Sequence, residues 1–156
     1  MRRRITAGGA ALAFTLGLTG CATPQDKTND ACADVKDVVN ALPAVAGDDG
    51  AKEIVPRLDR QIDAAAKADQ AFADAGADAA FRTAWQHLTK ALRDDRAAWQ
   101  NPLTGTDALP GPGSDMIAAM NLAGFKAVVD DAKTSLGAAA AKAGYPNCGD
   151  AITWRY

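Results

Sequence analysis

The chain has 156 residues, with 17 basic side chains against 19 acidic ones and a net charge of −2. This length suits one domain, and the acidic balance argues against the basic surfaces that bind nucleic acid, so we expect no nucleic-acid partner. The single histidine, His87, and the single glutamate, Glu53, are too few for a bis-histidine haem site or a di-iron carboxylate site. We therefore predict no cofactor and no metal site.

The first twenty residues have the three-part layout of an export signal. Residues 2–4 are arginines, and residues 10–18 form a short apolar segment without charge. This segment is too short for a permanent membrane-spanning helix, which needs about 20 apolar residues. The arginines leave twin-arginine export open as an alternative. Because Ile5 and Thr6 match that pattern only loosely, we favour the general secretory route.

The end of the apolar segment resembles the lipobox of bacterial prolipoproteins: a branched apolar residue, two small residues and a cysteine, here Leu18, Thr19, Gly20 and Cys21. The resemblance implies removal of residues 1–20 as a signal peptide and lipidation of Cys21 with a diacylglyceryl group. It also implies a position on the outer face of the cell membrane, with the membrane as a partner through the lipid anchor. Two acyl chains of roughly 15 methylenes each, at about 0.8 kcal/mol per buried methylene, contribute on the order of 20 kcal/mol of anchoring.

Two further cysteines, Cys32 and Cys148, remain in the mature chain. Export brings them into an oxidising compartment where disulfides persist, so we predict that they are bonded to each other. Loss of the three signal arginines from the 17 basic residues leaves 14 against 19 acidic ones, a net charge of −5. The composition resembles that of small alanine- and aspartate-rich lipoproteins of high-GC Gram-positive bacteria, a resemblance that implies no particular activity.

The mature chain divides into a short polar segment and a helical domain. Residues 22–30 are polar and contain a proline, so we predict a flexible tether over residues 21–30 and a folded domain over residues 31–156. Apolar residues recur at helical spacing from there on. We predict a first helix over residues 31–42, a turn at residues 47–50 and a second helix over residues 52–75, in which Pro56 is either a kink or the true start.

The third helix has the clearest pattern, and the fourth follows it after a loop. We predict one over residues 79–100, with a stripe of Phe81, Trp85, Leu88, Leu92 and Trp99, and one from a Ser114 cap to residue 143. Gly124 inside the latter indicates a bend or a close helix contact. The apolar face of the fourth helix comprises Ala118, Leu122, Phe125, Val129, Ala132 and Leu136. With Ile152, Trp154 and Tyr156 laid across the helices, the pattern predicts an all-α, antiparallel four-helix bundle with a disulfide-tethered C-terminal tail.

No residue set indicates catalysis. His87 lies off the apolar stripe, which favours a solvated surface histidine over a ligand or general base. A serine–histidine–aspartate triad needs Ser114 or Ser135, neither of which stands in a nucleophile motif, and Ser114 is better explained as a helix cap. The aspartate pairs at 48–49 and 94–95 lack the spacing of a calcium loop. We predict no catalytic residues and no enzymatic activity.

Two binding functions remain open. Phe81, Trp85, Trp99 and Phe125 either form core or line an apolar pocket, and the core interpretation is favoured. The proline- and glycine-rich segment 101–113 is either a functional loop or a variable surface loop. We expect a non-enzymatic envelope protein that binds an unknown envelope partner. The alternative is a carrier or sensor of a small apolar ligand held between the helices.

Overall fold

The computed structural model describes residues 22–46, 50–101 and 114–156, with the backbone alone described for residues 114–118. In these residues the chain forms four helices and no strand: α1 (Pro24–Asn40), α2 (Ala51–Ala75), α3 (Ala79–Gln100) and α4 (Ser114–Ala143). Each helix packs against the next along the chain, and the predicted all-α antiparallel bundle is confirmed. The predicted signal peptide, Cys21, the turn residues 47–49 and the loop residues 102–113 lie outside the described residues.

The first helix begins at Pro24, so the predicted start at residue 31 and the predicted flexible coil over residues 24–30 are wrong. Thr23 caps α1 because its Oγ1 accepts a hydrogen bond from the Asp26 amide at 3.1 Å. The Asp26 carboxylate in turn accepts one from the Thr23 amide at 2.9 Å. This reciprocal capping box satisfies two amides at the helix end. Pro24 occupies the first turn, where its missing N–H costs nothing.

The connection between α2 and α3 is a short turn in which each helix end is satisfied. Gly76 closes α2 in the left-handed conformation, with a φ of 69°. Asp78 caps α3 by accepting a hydrogen bond from the Phe81 amide at 2.9 Å. At the other end of α2, the helix begins at Ala51 and runs through Pro56, so the interpretation of Pro56 as the helix start is wrong.

The C-terminal tail, residues 144–156, lies along α1 for the whole length of that helix. Three side chains of α1 bond to backbone groups of the tail: Gln25 to Gly144, Asn29 to Asn147, and Asn40 to Thr153. The Cys32–Cys148 disulfide joins the same two segments, and both cysteines are fully buried. The predicted disulfide-tethered tail is therefore confirmed.

The tail also separates α1 from α4. Among the described residues no Cα atom of α1 lies within 8 Å of one of α4, and the tail bonds to both helices. Gly149, at a φ of 70°, approaches α4 so closely that a Cβ placed there would lie 3.0 Å from the Gly137 Cα. Glycine at position 149 therefore allows both the turn and the close packing. At Gly124, by contrast, an added Cβ meets no described atom within 4 Å, so of the two interpretations, a bend or a close helix contact, the close contact is wrong.

The core contains a group of aromatic rings that the tail completes. Trp85 is fully buried, and its Nε1 donates a hydrogen bond to the Ala65 carbonyl at 2.9 Å. Its ring meets Phe72 edge-on at a centroid distance of 4.8 Å, and Trp154 of the tail at 5.8 Å. Phe81 is equally buried and meets the Tyr145 ring at 4.8 Å. The favoured interpretation of Phe81 and Trp85 as core is confirmed.

Candidate functional site

An open pocket of about 440 Å³ lies at the end of the bundle where α1 and α3 end and α2 and α4 begin. Its volume falls within the range of small-molecule sites, roughly 300 to 1,000 Å³. We call it the Asp95 pocket. It is lined by Val45, Ala46, Ile54, Asp95, Trp99, Leu122, Ala123, Lys126 and Tyr156. Aliphatic and aromatic side chains therefore surround a few polar groups, as in most ligand sites.

Asp95 is the exceptional residue of the pocket wall. It is only 2% exposed, and its Oδ2 has no hydrogen-bond partner among the described residues. Burial raises the pKa of this carboxyl to about 6, against the opposing effect of the Lys126 charge. Asp95 lies on the inward stripe of α3 between Leu92 and Trp99, where an apolar residue is expected. Buried carboxyls without partners are rare and concentrate at functional sites.

The buried carboxyl makes the protein less stable at neutral pH. Because its pKa is higher in the folded state than the usual 3.8, the folded protein binds this proton more tightly than the unfolded chain. The protonated Asp95 carboxyl therefore stabilises the folded state fully below about pH 4, and this contribution is lost as the pH rises through 6. Asp95 therefore reduces stability at the pH at which the pocket would operate, a feature typical of residues kept for binding.

Tyr156 brings the end of the tail to the rim of the pocket. Its hydroxyl donates to the Asp130 carboxylate and accepts a hydrogen bond from Lys133 Nζ at 2.8 Å. Burial and the bond to Asp130 raise the pKa of Tyr156, and the bond from Tyr156 is the main reason that the pKa of Asp130 is lowered. Lys126 Nζ lies over the Tyr156 ring, 4.5 Å from its centroid. The Tyr156 hydroxyl, the Asp130 carboxylate and the ammonium groups of two lysines therefore form one polar network at the rim.

A second groove, of about 430 Å³, lies between α1 and α2. Small residues form much of its floor, among them Ala31, Ala64 and Ala68. Val38, which is 44% exposed, stands at its edge. None of the described side chains with a buried, unpartnered polar atom lines this groove. It therefore offers apolar area without the chemical specificity of the Asp95 pocket.

The aromatic residues predicted to act together are divided by the fold. Phe81 and Trp85 lie in the core, whereas Trp99 is half-buried and lines the Asp95 pocket. Phe125 is also half-buried but does not line that pocket. Of Trp85, Trp99 and Phe125, only Trp99 lines the Asp95 pocket.

The other candidate residues lie apart from the pocket. His87 is exposed on α3, and Ser135 is exposed on α4. Asp94 pairs with Lys90 on the surface of α3, while its neighbour Asp95 points into the protein. In the described part of the chain, no three histidine, cysteine, aspartate or glutamate side chains are grouped as metal ligands. Cys21, the Ser114 side chain and the aspartates at 48–49 fall outside the described side chains.

The burial of Asp95 was not predicted from the sequence. Residues 94 and 95 were considered only as a pair, although only Asp95 stands three residues after Leu92 and four before Trp99. That spacing is the signal that separates the two aspartates.

Comparison with known proteins finds no matching family model, no matching curated protein and no matching solved structure. None of the described helices is long and apolar enough to cross a membrane.

Proposed function

We propose that the protein is a non-enzymatic binding protein of the bacterial cell envelope, held on the outer face of the membrane by a lipid on Cys21, which binds a small ligand in the Asp95 pocket. The observation that carries the proposal is a carboxyl that is 2% exposed and unpartnered at Oδ2 in the wall of a 440 Å³ apolar pocket. Such a wall supplies apolar area for binding and one polar group for specificity.

The position of the pocket relative to the anchor favours a ligand that arrives through water. Because α1 begins at Pro24, only Ala22 and Thr23 stand between the anchor at Cys21 and the helix, which gives a reach of about 10 Å. A lipid at Cys21 therefore holds the start of α1 and the end of α4 close to the membrane. The Asp95 pocket lies at the opposite end of the bundle, about 30 Å away along a helix such as α3.

Replacing the anchoring cysteine is expected to abolish lipidation. In Cys21→Ser the thiol that takes the diacylglyceryl group is missing, so we expect an unprocessed precursor that retains residues 1–20 and gains no lipid mass. Thr19→Ala is the matched control, because it keeps a small residue in the same tetrapeptide and should be processed like the wild type. Intact-mass analysis of protein from native membranes measures both. An unmodified Cys21 in the wild type would refute the anchor.

The binding function is tested by filling the pocket. Ala123 is exposed and lines the pocket, so Ala123→Phe should occupy the space without disturbing the core. Ala138 is exposed further along α4 and does not line the pocket, so Ala138→Phe is the matched control. We expect native mass spectrometry of protein from the envelope to show a small molecule on the wild type and on Ala138→Phe, with at least tenfold lower occupancy on Ala123→Phe. Equal occupancy in all three, or no ligand on the wild type, would contradict the proposal.

The second candidate is a protein partner docked on the groove between α1 and α2. The observation that favours it is the exposure of Val38 beside a floor of alanines, which leaves apolar area open to a partner. A wild type that carries no small molecule in the preceding experiment would favour this candidate over the first.

A further inference from the structure

The chemistry of the Asp95 pocket points to the class of ligand. An ionised carboxylate accepts hydrogen bonds and donates none, so the unpartnered Oδ2 needs a donor. The described protein atoms supply none, and the apolar side chains Ile54 and Leu122 on the pocket wall have none to offer. A ligand with an N–H or O–H group directed at Asp95 therefore fits this wall better than one that has only acceptors.

The charges around Asp95 favour a donor that is also a cation. Lys126 of α4 acts on Asp95 electrostatically, but no cation of the described chain lies within ion-pair distance of this carboxylate. Lys126 is instead 4.0 Å from Asp130 and lies over the Tyr156 ring, which comes from the tail. The residues contributed by α2 and by the segment before it are uncharged: Ile54, Val45 and Ala46. The Asp95 carboxylate thus has no ion-pair partner in the described chain, and Lys126 offsets its charge only at longer range.

The aromatic wall suits the same kind of group. Trp99 lies one helical turn after Asp95 on α3 and lines the pocket beside it. An ammonium group is attracted both by a carboxylate and by the face of an indole ring, and it gains most where water is excluded. An anionic ligand would instead place a second negative charge near the buried carboxylate.

We propose that the Asp95 pocket binds a small organic ammonium ion, whose positive charge pairs with the Asp95 carboxylate and whose apolar body lies against Trp99 and Leu122. The proposal rests on the function proposed above and names the chemical class of its ligand. It also explains why a carboxyl that reduces the stability of the free protein stands on the apolar stripe of α3, because the ligand supplies an opposite charge.

Binding of an ammonium ion should weaken as the pH falls. The burial that raises the pKa of Asp95 to about 6 means that the carboxylate is mostly ionised at pH 7.5 and mostly protonated at pH 5. The ammonium group stays charged over this range. Because the pKa of Asp130 is lowered and that of Tyr156 is raised, neither of these rim groups changes charge between pH 5 and pH 7.5. Affinity for the cation should therefore fall about tenfold from pH 7.5 to pH 5.

The test uses the lipidated protein in nanodiscs and three probes of one shape and different charge: 2-phenylethylamine, 2-phenylethanol and phenylacetate. Tryptophan fluorescence follows the titration, since Trp99 lines the pocket. We expect the amine to bind at least tenfold more tightly than the alcohol, and phenylacetate to bind least. Asp95→Asn should lose at least tenfold of the amine affinity and all of its pH dependence, while its affinity for the alcohol is retained.

The outcomes separate this inference from the proposed function. The thermal midpoint of Asp95→Asn at pH 7.5 is measured first and should equal or exceed that of the wild type, since the variant removes a buried charge. Tighter binding of the alcohol or of phenylacetate, or unchanged amine affinity in a folded Asp95→Asn, would overturn the ammonium inference alone. Absence of binding by all three probes would also overturn it, whereas the pocket-filling comparison at Ala123 decides the proposed function without regard to ligand charge.

Discussion

Removal of the disulfide is expected to lower the free energy of unfolding by about 4 to 5 kcal/mol in the double variant Cys32→Ala/Cys148→Ala. The two cysteines are separated by 116 positions, so the bond closes a loop that comprises most of the folded part of the chain. In the chain-entropy model, a loop of this length restricts the unfolded chain enough to account for that value. The folded state should persist, because Ile152 and Trp154 keep the tail buried against the bundle by other contacts.

The measurement is the denaturant midpoint of the wild type and of the double variant, each with and without a thiol reductant. Reductant in the presence of denaturant should bring the wild type down to the midpoint of the double variant, which should itself be insensitive to reductant. Peptide mapping without reduction should give one linked pair that contains Cys32 and Cys148. Equal midpoints for the oxidised wild type and the double variant would show that the bond contributes nothing to stability.

The helices with strong local signals were predictable from the sequence. The predicted bounds of the third and fourth helices agree with α3 (Ala79–Gln100) and α4 (Ser114–Ala143), since a capping aspartate and a proline- and glycine-rich segment mark their starts. The start of α1 was missed although Thr23, Pro24 and Asp26 form a capping box, because the polar composition of residues 22–30 was weighed above the capping pattern.

The candidate site depended on information that local patterns do not contain. Asp95 stands on the stripe of α3, but whether a polar residue on a stripe is buried depends on which segments cover it. Here the cover comes from the tail and α4, through Tyr156 and Lys126, which are more than thirty residues away along the chain. The alternating apolar residues of the tail predicted that it packs on the helices, but they did not predict where Tyr156 lies. The pocket could therefore be identified only from the structure, in which the tail lies between α1 and α4.

Truncation of the central tryptophan is expected to be the most damaging change in the core. Trp85 is fully buried, donates its indole N–H to the Ala65 carbonyl and meets rings from α2, α3 and the tail. Trp85→Ala should lower the free energy of unfolding by about 3 to 5 kcal/mol, which is a large share of the 5 to 15 kcal/mol typical of a domain. The lost contacts join three segments, so the tail should loosen as well.

The matched control is Trp99→Ala, the same substitution on the same helix. Trp99 is half-buried and lines an open pocket, so its removal leaves little cavity and should cost roughly 1 to 2 kcal/mol. Denaturant midpoints of both variants, followed by circular dichroism so that the loss of a fluorophore does not matter, give the comparison.

Ligand binding should show the reverse order, with Trp99→Ala losing affinity for a pocket ligand. Trp85→Ala should keep it at temperatures where that variant is folded, because Trp85 does not line the pocket. Similar stability losses for the two variants would mean that Trp85 is not the centre of the core.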